Sequence, residues 1–144
     1  MEIASELALE LLAKGEQVRL VARGGSMRPL IREGDRLVLD PRLDGAPVGS
    51  VVLKVVGGQW LVHRIIARLG ALRYLKGDAL PKADGWFRLD ELSARLVHAQ
   101  RGDRDVYLGG HLAAAGSWLY GAASHMPGAA RLKHRARALI ERAL

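Results

Sequence analysis

The 144-residue sequence contains no cysteine. This absence excludes disulfide bonds, catalysis by a thiolate and zinc sites built on cysteine, and it fits a reducing compartment. Histidines are few, and the five that are present show no paired ligand spacing. The sequence therefore predicts neither a metal site nor a cofactor.

Long apolar runs and aromatic residues are also scarce. The longest weakly charged stretch, 106–126, is interrupted by histidines and glycines and is too weak for a membrane-spanning helix. The acidic first fifteen residues do not resemble a secretory signal, so we expect a cytoplasmic protein. The net charge of +7 favours anionic partners, but the aromatic residues form no stacking platform, and we expect no specific nucleic acid.

The order of local patterns indicates one domain, 1–144, that is mainly β. Residues 2–14 predict a short amphipathic helix that ends at Gly15, with an apolar stripe formed by Ile3, Leu7, Leu11 and Leu12. From 18 to 100, short segments rich in Val, Leu and Ile alternate with glycine-containing turns. This pattern predicts a curled, barrel-like β-sheet as the core.

A helical extension is predicted over 109–144, where Pro127-Gly128 separates two pieces and the second piece is basic. One apolar stripe of that second helix would pack on the domain and leave its arginines in solvent. The alternative is that the basic helix docks on an acidic partner or, peripherally, on a membrane surface.

The first candidate for chemistry is the turn Gly24-Gly25-Ser26-Met27. Taken alone it is an ordinary turn, because glycines permit positive φ and serine is common beside them. A glycine pair directly ahead of a hydroxyl also brings backbone close to a ligand. A nucleophile on a tight turn requires that arrangement.

Two further segments carry ionisable residues. The strand pattern of 59–66 places His63 on one face with Leu61 and Ile65, which by itself suggests a core histidine. The segment 74–84 predicts a strand that enters a loop containing Asp78 and Asp84. By itself that loop is a solvated turn.

Together these segments resemble the type I signal peptidases, in particular the archaeal and endoplasmic-reticulum branch that uses histidine in place of the bacterial lysine base. Three short motifs carry the resemblance, within about 18–100: Gly25-Ser26-Met27-x-Pro29 with Gly34-Asp35, Val62-His63-Arg64-Ile65, and Lys76-Gly77-Asp78 with Asp84. The resemblance implies a signal-peptidase-like fold, a peptidase core over about 18–100 and a serine endopeptidase activity. It also implies a catalytic triad of Ser26, His63 and Asp84, supported by Asp78, Gly25, Met27 and Gly77.

The chemistry of these residue types is coherent. A serine hydroxyl is a weak nucleophile until a base takes its proton, and imidazole, with an ordinary pKa of about 6.5, suits that task near pH 7. An aspartate on the second ring nitrogen would fix the tautomer and stabilise the imidazolium. The backbone N–H of Ser26 is a natural oxyanion donor.

The sequence departs from the family pattern at three points. Gly24 replaces a residue that often supplies a hydroxyl to the oxyanion hole, Ala79 replaces an asparagine, and the usual membrane anchor is not recognisable. We therefore expect a soluble member of the signal peptidase and self-cleaving repressor clan. Its partner would be a peptide or protein substrate, cut after small residues.

Two other hypotheses remain open at this point. A self-cleaving repressor relative would share the fold and the nucleophile turn, but it would use lysine as base and carry a DNA-binding domain. His63 and the short chain argue against that reading. A non-catalytic peptide-binding or scaffold module on the same fold is favoured by Gly24 and Ala79, whereas Ser26, His63 and Asp84 favour catalysis.

Overall fold

The structure, a computed structural model, describes residues 3–106 and residue 119, with side chains from Ser5 onward. It begins with helix α1, Ile3–Ala13. Gly15 then reverses the chain at φ +88°, a left-handed conformation that glycine adopts without strain. The predicted helix and its glycine terminator are therefore present.

The apolar stripe of α1 differs from the prediction. Ala8 and Leu12 are buried against the sheet and Leu9 and Leu11 are partly buried, whereas Leu7 is 55% exposed. The helix is rotated so that positions 8 and 12, one turn apart, face the core. Leu7 thus lies beside the contact rather than within it.

The rest of the described chain is dominated by antiparallel strands, as predicted. They are β1 Val18–Val21, β2 Arg36–Asp40, β3 Val51–Val56, β4 Gln59–Leu69, β5 Leu72–Lys76, β6 Gly85–Arg88, β7 Ala94–Arg101 and β8 Arg104–Val106. A single 3₁₀ turn, Leu89–Glu91, precedes β7. Chain reversals between strands use glycines at positive φ, for example Gly57 and Gly58 between β3 and β4.

All eight strands join one sheet in the order β1-β2-β7-β3-β4-β5-β6, and β8 also pairs with β7. Two β-bulges interrupt the register, one at Val97 of β7, opposite Val38 and Leu39, and one at Ile66 of β4. The predicted closed barrel is nevertheless wrong for the described strands. Closure would require β1 to pair with β6, and in the described residues β1 pairs only with β2 and β6 only with β5.

Two apolar clusters stabilise the sheet. The larger one joins α1, β1, β2 and β7 to the segment after Ser26 through Met27, Leu30 and Ile31. The smaller one lies between β3, β4 and β5 and includes Val52, Ile65 and Leu75. The segment after Ser26 is therefore anchored in the larger cluster, whereas β4, which carries His63, and β5, which precedes the two aspartates, contribute to the smaller one.

Within 3–106 and at residue 119, no helix is long and apolar enough to cross a membrane. The predicted C-terminal helices of 109–144, with the basic helix, lie outside the described residues apart from Leu119.

Candidate functional site

Ser26 lies on the nucleophile loop, which we define as residues 22–35, between β1 and β2. The loop closes on itself at its root, where Ala22 N–H donates to the Asp35 carbonyl (2.8 Å) and Gly34 N–H donates to the Ala22 carbonyl (2.9 Å). Gly24 has φ +76°, a conformation that a side chain would strain. This explains a glycine where a hydroxyl donor would otherwise be expected.

The loop is held from below by its own apolar residues. Met27, Leu30 and Ile31 are each no more than 4% exposed, whereas Ser26 stays half-buried at the surface. Within the described part of the chain, no acceptor is recorded for the Ser26 backbone N–H. The Ser26 N–H is therefore left without a partner among the described residues, whereas the hydroxyl lies within reach of His63.

A buried carboxylate also ties the root of the loop to β7. Asp35 accepts Nε and Nη2 of Arg101 (2.8 and 2.7 Å) and the backbone N–H of Arg32 (2.8 Å), and Arg101 also donates to the Leu30 carbonyl (2.9 Å). Burial alone would raise the pKa of Asp35, but these hydrogen bonds and the arginine charges hold the pKa below its ordinary value of 3.8. Asp35 thus acts as a charged anchor.

His63 is positioned by the sheet. It lies on β4 opposite Val52 of β3, is 4% exposed, and has β5 on the other side of its strand. A residue between two hydrogen-bonded neighbours has little backbone freedom. The backbone of His63 is therefore held by β3, and β5 pairs with β4 from the next residue, Arg64, in contrast to the loop that carries Ser26.

Asp84 completes a chain of hydrogen bonds. Its backbone N–H donates to the Leu75 carbonyl (2.8 Å), directly before β6, and its Oδ2 lies 2.6 Å from His63 Nδ1. On the other side of the ring, His63 Nε2 lies 3.1 Å from Ser26 Oγ. With the Nδ1 proton donated to Asp84, Nε2 presents its lone pair to the serine hydroxyl.

Asp78 has a different role from Asp84. Its two carboxylate oxygens accept Nε and Nη2 of Arg64 (2.8 and 2.7 Å), while Arg64 Nη1 donates to the Gly49 carbonyl (2.6 Å). The Asp78 side chain is 1% exposed and that of Arg64 is 3% exposed. Arg64 directly follows His63 in sequence, so this ion pair ties β4 to the loop that leads to Asp84.

The loop that carries Asp78 also contacts Ser26 directly. The Ala79 N–H donates to the Ser26 carbonyl (2.8 Å). A Cβ on Gly77 would lie 2.9 Å from that carbonyl oxygen and 3.1 Å from His63 Nε2. A side chain at position 77 would therefore collide with Ser26 and His63, which explains the glycine there. Next to it, the fully buried Lys76 donates to the Gly77 carbonyl (2.9 Å).

A groove of about 500 Å³ runs up to Ser26 and His63. One wall is β1 and the residues after it, from Arg19 to Gly24, and the opposite wall is the beginning of β4, from Trp60 to Val62. Ile31 and Met27 form part of the floor. Residues of β1 and of the beginning of β4 therefore line much of the groove, together with Ser26 and His63.

The structure thus joins Ser26, His63 and Asp84 in one hydrogen-bonded chain and brings Gly77 against it. Gly25 and Met27 flank Ser26 in sequence, Met27 in the core, and Asp78 pairs with Arg64. The sequence analysis assigned no role to Arg64 or Arg101, nor to the two arginines that line the groove, Arg19 and Arg23. Only Arg64 had a signal, its place directly after His63. In the described residues, no group of three potential ligands could hold a metal ion.

Comparison of the sequence with protein-family models finds no match, and neither does comparison with curated proteins.

Proposed function

We propose that the chain is a serine endopeptidase that cleaves peptide bonds by acyl transfer through Ser26. The observation that carries this proposal is the Asp84–His63–Ser26 chain of hydrogen bonds, 2.6 and 3.1 Å long, at the end of an open groove. Nucleophile and base within hydrogen-bond reach, with a third group that orients the base, are the requirements for an activated serine.

The reaction follows from these positions. His63 Nε2 takes the hydroxyl proton as Ser26 Oγ bonds to the substrate carbonyl carbon, and Asp84 stabilises the imidazolium that forms. The free N–H of Ser26 donates to the developing oxyanion. His63 then gives its proton to the leaving amine as the C–N bond breaks. Water, deprotonated by the same imidazole, hydrolyses the acyl-enzyme and releases the acid product.

The groove supports an extended substrate. Ala22 directs both its N–H and its C=O towards the β2 side, so by alternation Val21 and Arg23 direct theirs away, into the groove. In the described residues β1 has no second strand neighbour. A peptide that adds to this edge would be held by main-chain hydrogen bonds with its scissile carbonyl near Ser26.

A peptide-binding module without catalysis is the second candidate. Gly24, at φ +76°, supplies no side-chain donor to the oxyanion hole, which leaves that task to backbone groups alone. Such a module would use the same groove and the same peptide class. It differs only in that Ser26 would not become acylated.

Covalent labelling separates the two. A serine-reactive phosphonate should modify the protein, and mass spectrometry should map the adduct to Ser26. Ser26→Ala and His63→Ala should abolish labelling, whereas Ser93→Ala, a serine away from the groove, should label normally. Digestion of a peptide library should then yield cuts that Ser26→Ala does not produce. A folded protein that shows neither label nor cuts would leave the binding module as the better reading.

A further inference from the structure

The groove carries an unbalanced charge. Among the described residues, two arginines, Arg19 and Arg23, line it, and no aspartate or glutamate does. Both arginines are exposed, and they flank Val21 at alternating positions along β1 and its continuation. Alternate residues of an extended strand share a side, so the two guanidinium groups can act on the same bound chain.

Five of the eleven other arginines in the described chain have acidic partners. Ion pairs join Arg42 to Asp40, Arg64 to Asp78, Arg88 to Asp90, Arg95 to Asp44 and Arg101 to Asp35. For Arg19 and Arg23, neither an ion pair nor a side-chain hydrogen bond to any described residue is formed. Two charges left unbalanced on the wall of a groove favour a ligand that supplies the opposite charge.

We propose that the groove selects extended peptides that carry acidic side chains along β1, several residues from the cleaved bond. The proposal rests on the proposed function, because it takes the cleaved bond to lie at Ser26. Arg23 precedes Ser26 by three residues, and Arg19 precedes Arg23 by four. A chain paired along this edge advances at the same ~3.3 Å per residue. The favoured substrate thus carries two acidic residues four positions apart, on the side of the cleaved bond that lies along β1.

Charge complementarity at an exposed rim mainly controls selection among peptides. An exposed ion pair contributes about 0.2–1 kcal/mol, which corresponds to at most about a fivefold change in affinity for each arginine. The preference must therefore fall as salt is added, because a screened charge acts over a shorter distance. Small residues next to the cleaved bond remain what the resemblance to signal peptidases implies, and the arginines add a preference further along the chain.

The test measures binding and cleavage separately. The probes are three fluorescent peptides of identical small-residue sequence that carry, at two positions four residues apart, glutamate, glutamine or lysine. Binding is measured by anisotropy on Ser26→Ala, at low and at high salt, so that it does not depend on cleavage. The same background then receives Arg19→Gln, Arg23→Gln or the double Arg→Glu reversal. Arg104→Glu, an exposed arginine outside the groove, is the matched control.

We expect the glutamate peptide to bind several-fold more tightly than the lysine peptide. Each Arg→Gln change should weaken it two- to fivefold, and the double reversal should invert the order of the peptides, while Arg104→Glu changes nothing. Equal binding of the three peptides, or an equal loss in Arg104→Glu, would overturn the proposal. Tighter binding of a short single-stranded DNA, lost in the same variants, would also overturn it in favour of nucleic acid.

The two proposals fail in different ways. Acidic preference in binding without cleavage by the wild type sustains the groove assignment and removes the peptidase. Cleavage by the wild type at equal kcat/KM for the three peptides does the opposite. A thermal melt of each variant shows whether a loss reflects the fold, and the neutral Arg→Gln variants keep the test open if the charge reversal unfolds.

Discussion

The two halves of the site are built differently. Ser26 belongs to a loop whose root is closed by two backbone hydrogen bonds and by the Asp35–Arg101 ion pair, and whose underside rests on Met27, Leu30 and Ile31. His63 belongs to a strand with a hydrogen-bonded neighbour on each side. His63 is therefore held by the sheet, whereas Ser26 depends on a few local contacts.

The two ion pairs repeat this contrast. The Arg64–Asp78 pair is closed to solvent on both sides, whereas the Arg101 side chain is 33% exposed and only Asp35 is buried. Removing one partner of a fully buried pair leaves a charge without compensation and costs about 3–5 kcal/mol. The difference suggests that damage on the base side reduces folding stability, whereas damage on the nucleophile side mainly displaces Ser26.

The largest effect is expected where the two halves meet. Ser26→Ala and His63→Ala should each lower kcat on a cleaved peptide by about 10⁴-fold or more, and the double variant should be scarcely worse than either single one. Without His63 the hydroxyl keeps its proton, and without Ser26 the imidazole has nothing to activate. Steady-state kinetics beside a thermal melt checks this. Additive losses would mean that the two residues do not act as one unit.

Next in size is the distinction between the two aspartates. Asp84→Asn should lower kcat by about a thousandfold or somewhat more, because it spoils the tautomer of His63 while leaving the fold intact. Asp78→Asn should lower activity less but stability more, by about 3 kcal/mol, because Arg64 is left buried beside a neutral group. Denaturant unfolding and kinetics on both variants provide the measurement. A greater kinetic loss at Asp78 would reassign the third member of the triad.

A smaller effect is expected from one methyl group between the halves. Gly77→Ala would place a Cβ against the Ser26 carbonyl and His63 Nε2, and the resulting displacement should cost about a hundredfold in kcat. Gly25→Ala is the comparison, since its Cβ would meet only the flexible Arg28 side chain at 3.3 Å. Its loss should stay below tenfold. Equal losses would show that the close approach at Gly77 does not control the geometry.

The smallest effect concerns acid. The pKa of Asp35 is lowered in the folded state, so its contribution to stability is complete above its ordinary value of 3.8 and is lost as pH falls from there through the lowered value. Asp40 behaves alike, because the hydrogen bond from Arg42 lowers its pKa. The excess stability of the wild type over Asp35→Asn or Asp40→Asn should therefore shrink below about pH 4.

Activity at neutral pH separates these two variants. Asp35→Asn loosens the root of the nucleophile loop and should lower kcat several-fold, whereas Asp40→Asn, which lies at the far end of β2 beside Gln17, should not. Chemical unfolding across pH and kinetics at pH 7 give both readouts. An equal effect on kcat at the two positions would remove the special role of the Asp35 anchor.

Local patterns in the sequence predicted much of the fold. Alternating apolar residues and glycine turns located the β region, and Gly15 marked the end of α1. The prediction that Leu7 belongs to the buried stripe of α1 was wrong. The sequence offers two adjacent apolar stripes, and the surface on which the helix packs decides which one is buried. Closure into a barrel was also wrong, because it depends on whether β1 and β6 meet, and the alternation within each strand carries no such information.

Within the site, short motifs located the residues that share hydrogen bonds but not those that support them. The Asp35–Arg101 pair joins residues 66 positions apart, and the sequence around either residue does not indicate that the other is its partner. Taken alone, the sequence around Asp78 suggested a solvated turn, yet Asp78 is 2% exposed. Its partner, Arg64, comes within reach only when β4 pairs with β5. The role proposed for Arg19 and Arg23 rests on their place in the groove and on the lack of carboxylates beside them, which only the folded structure shows.

The contact between Ala79 and Ser26 bears on how freely this chain can change over evolutionary time. The bond is made by a backbone N–H, and the side chain at position 79 is exposed. Alanine in place of an asparagine therefore loses nothing in this contact, and almost any residue can drift into the position. Proline alone is forbidden, because it has no N–H to donate. A position that looks like a departure in the sequence is then one at which the site tolerates substitution.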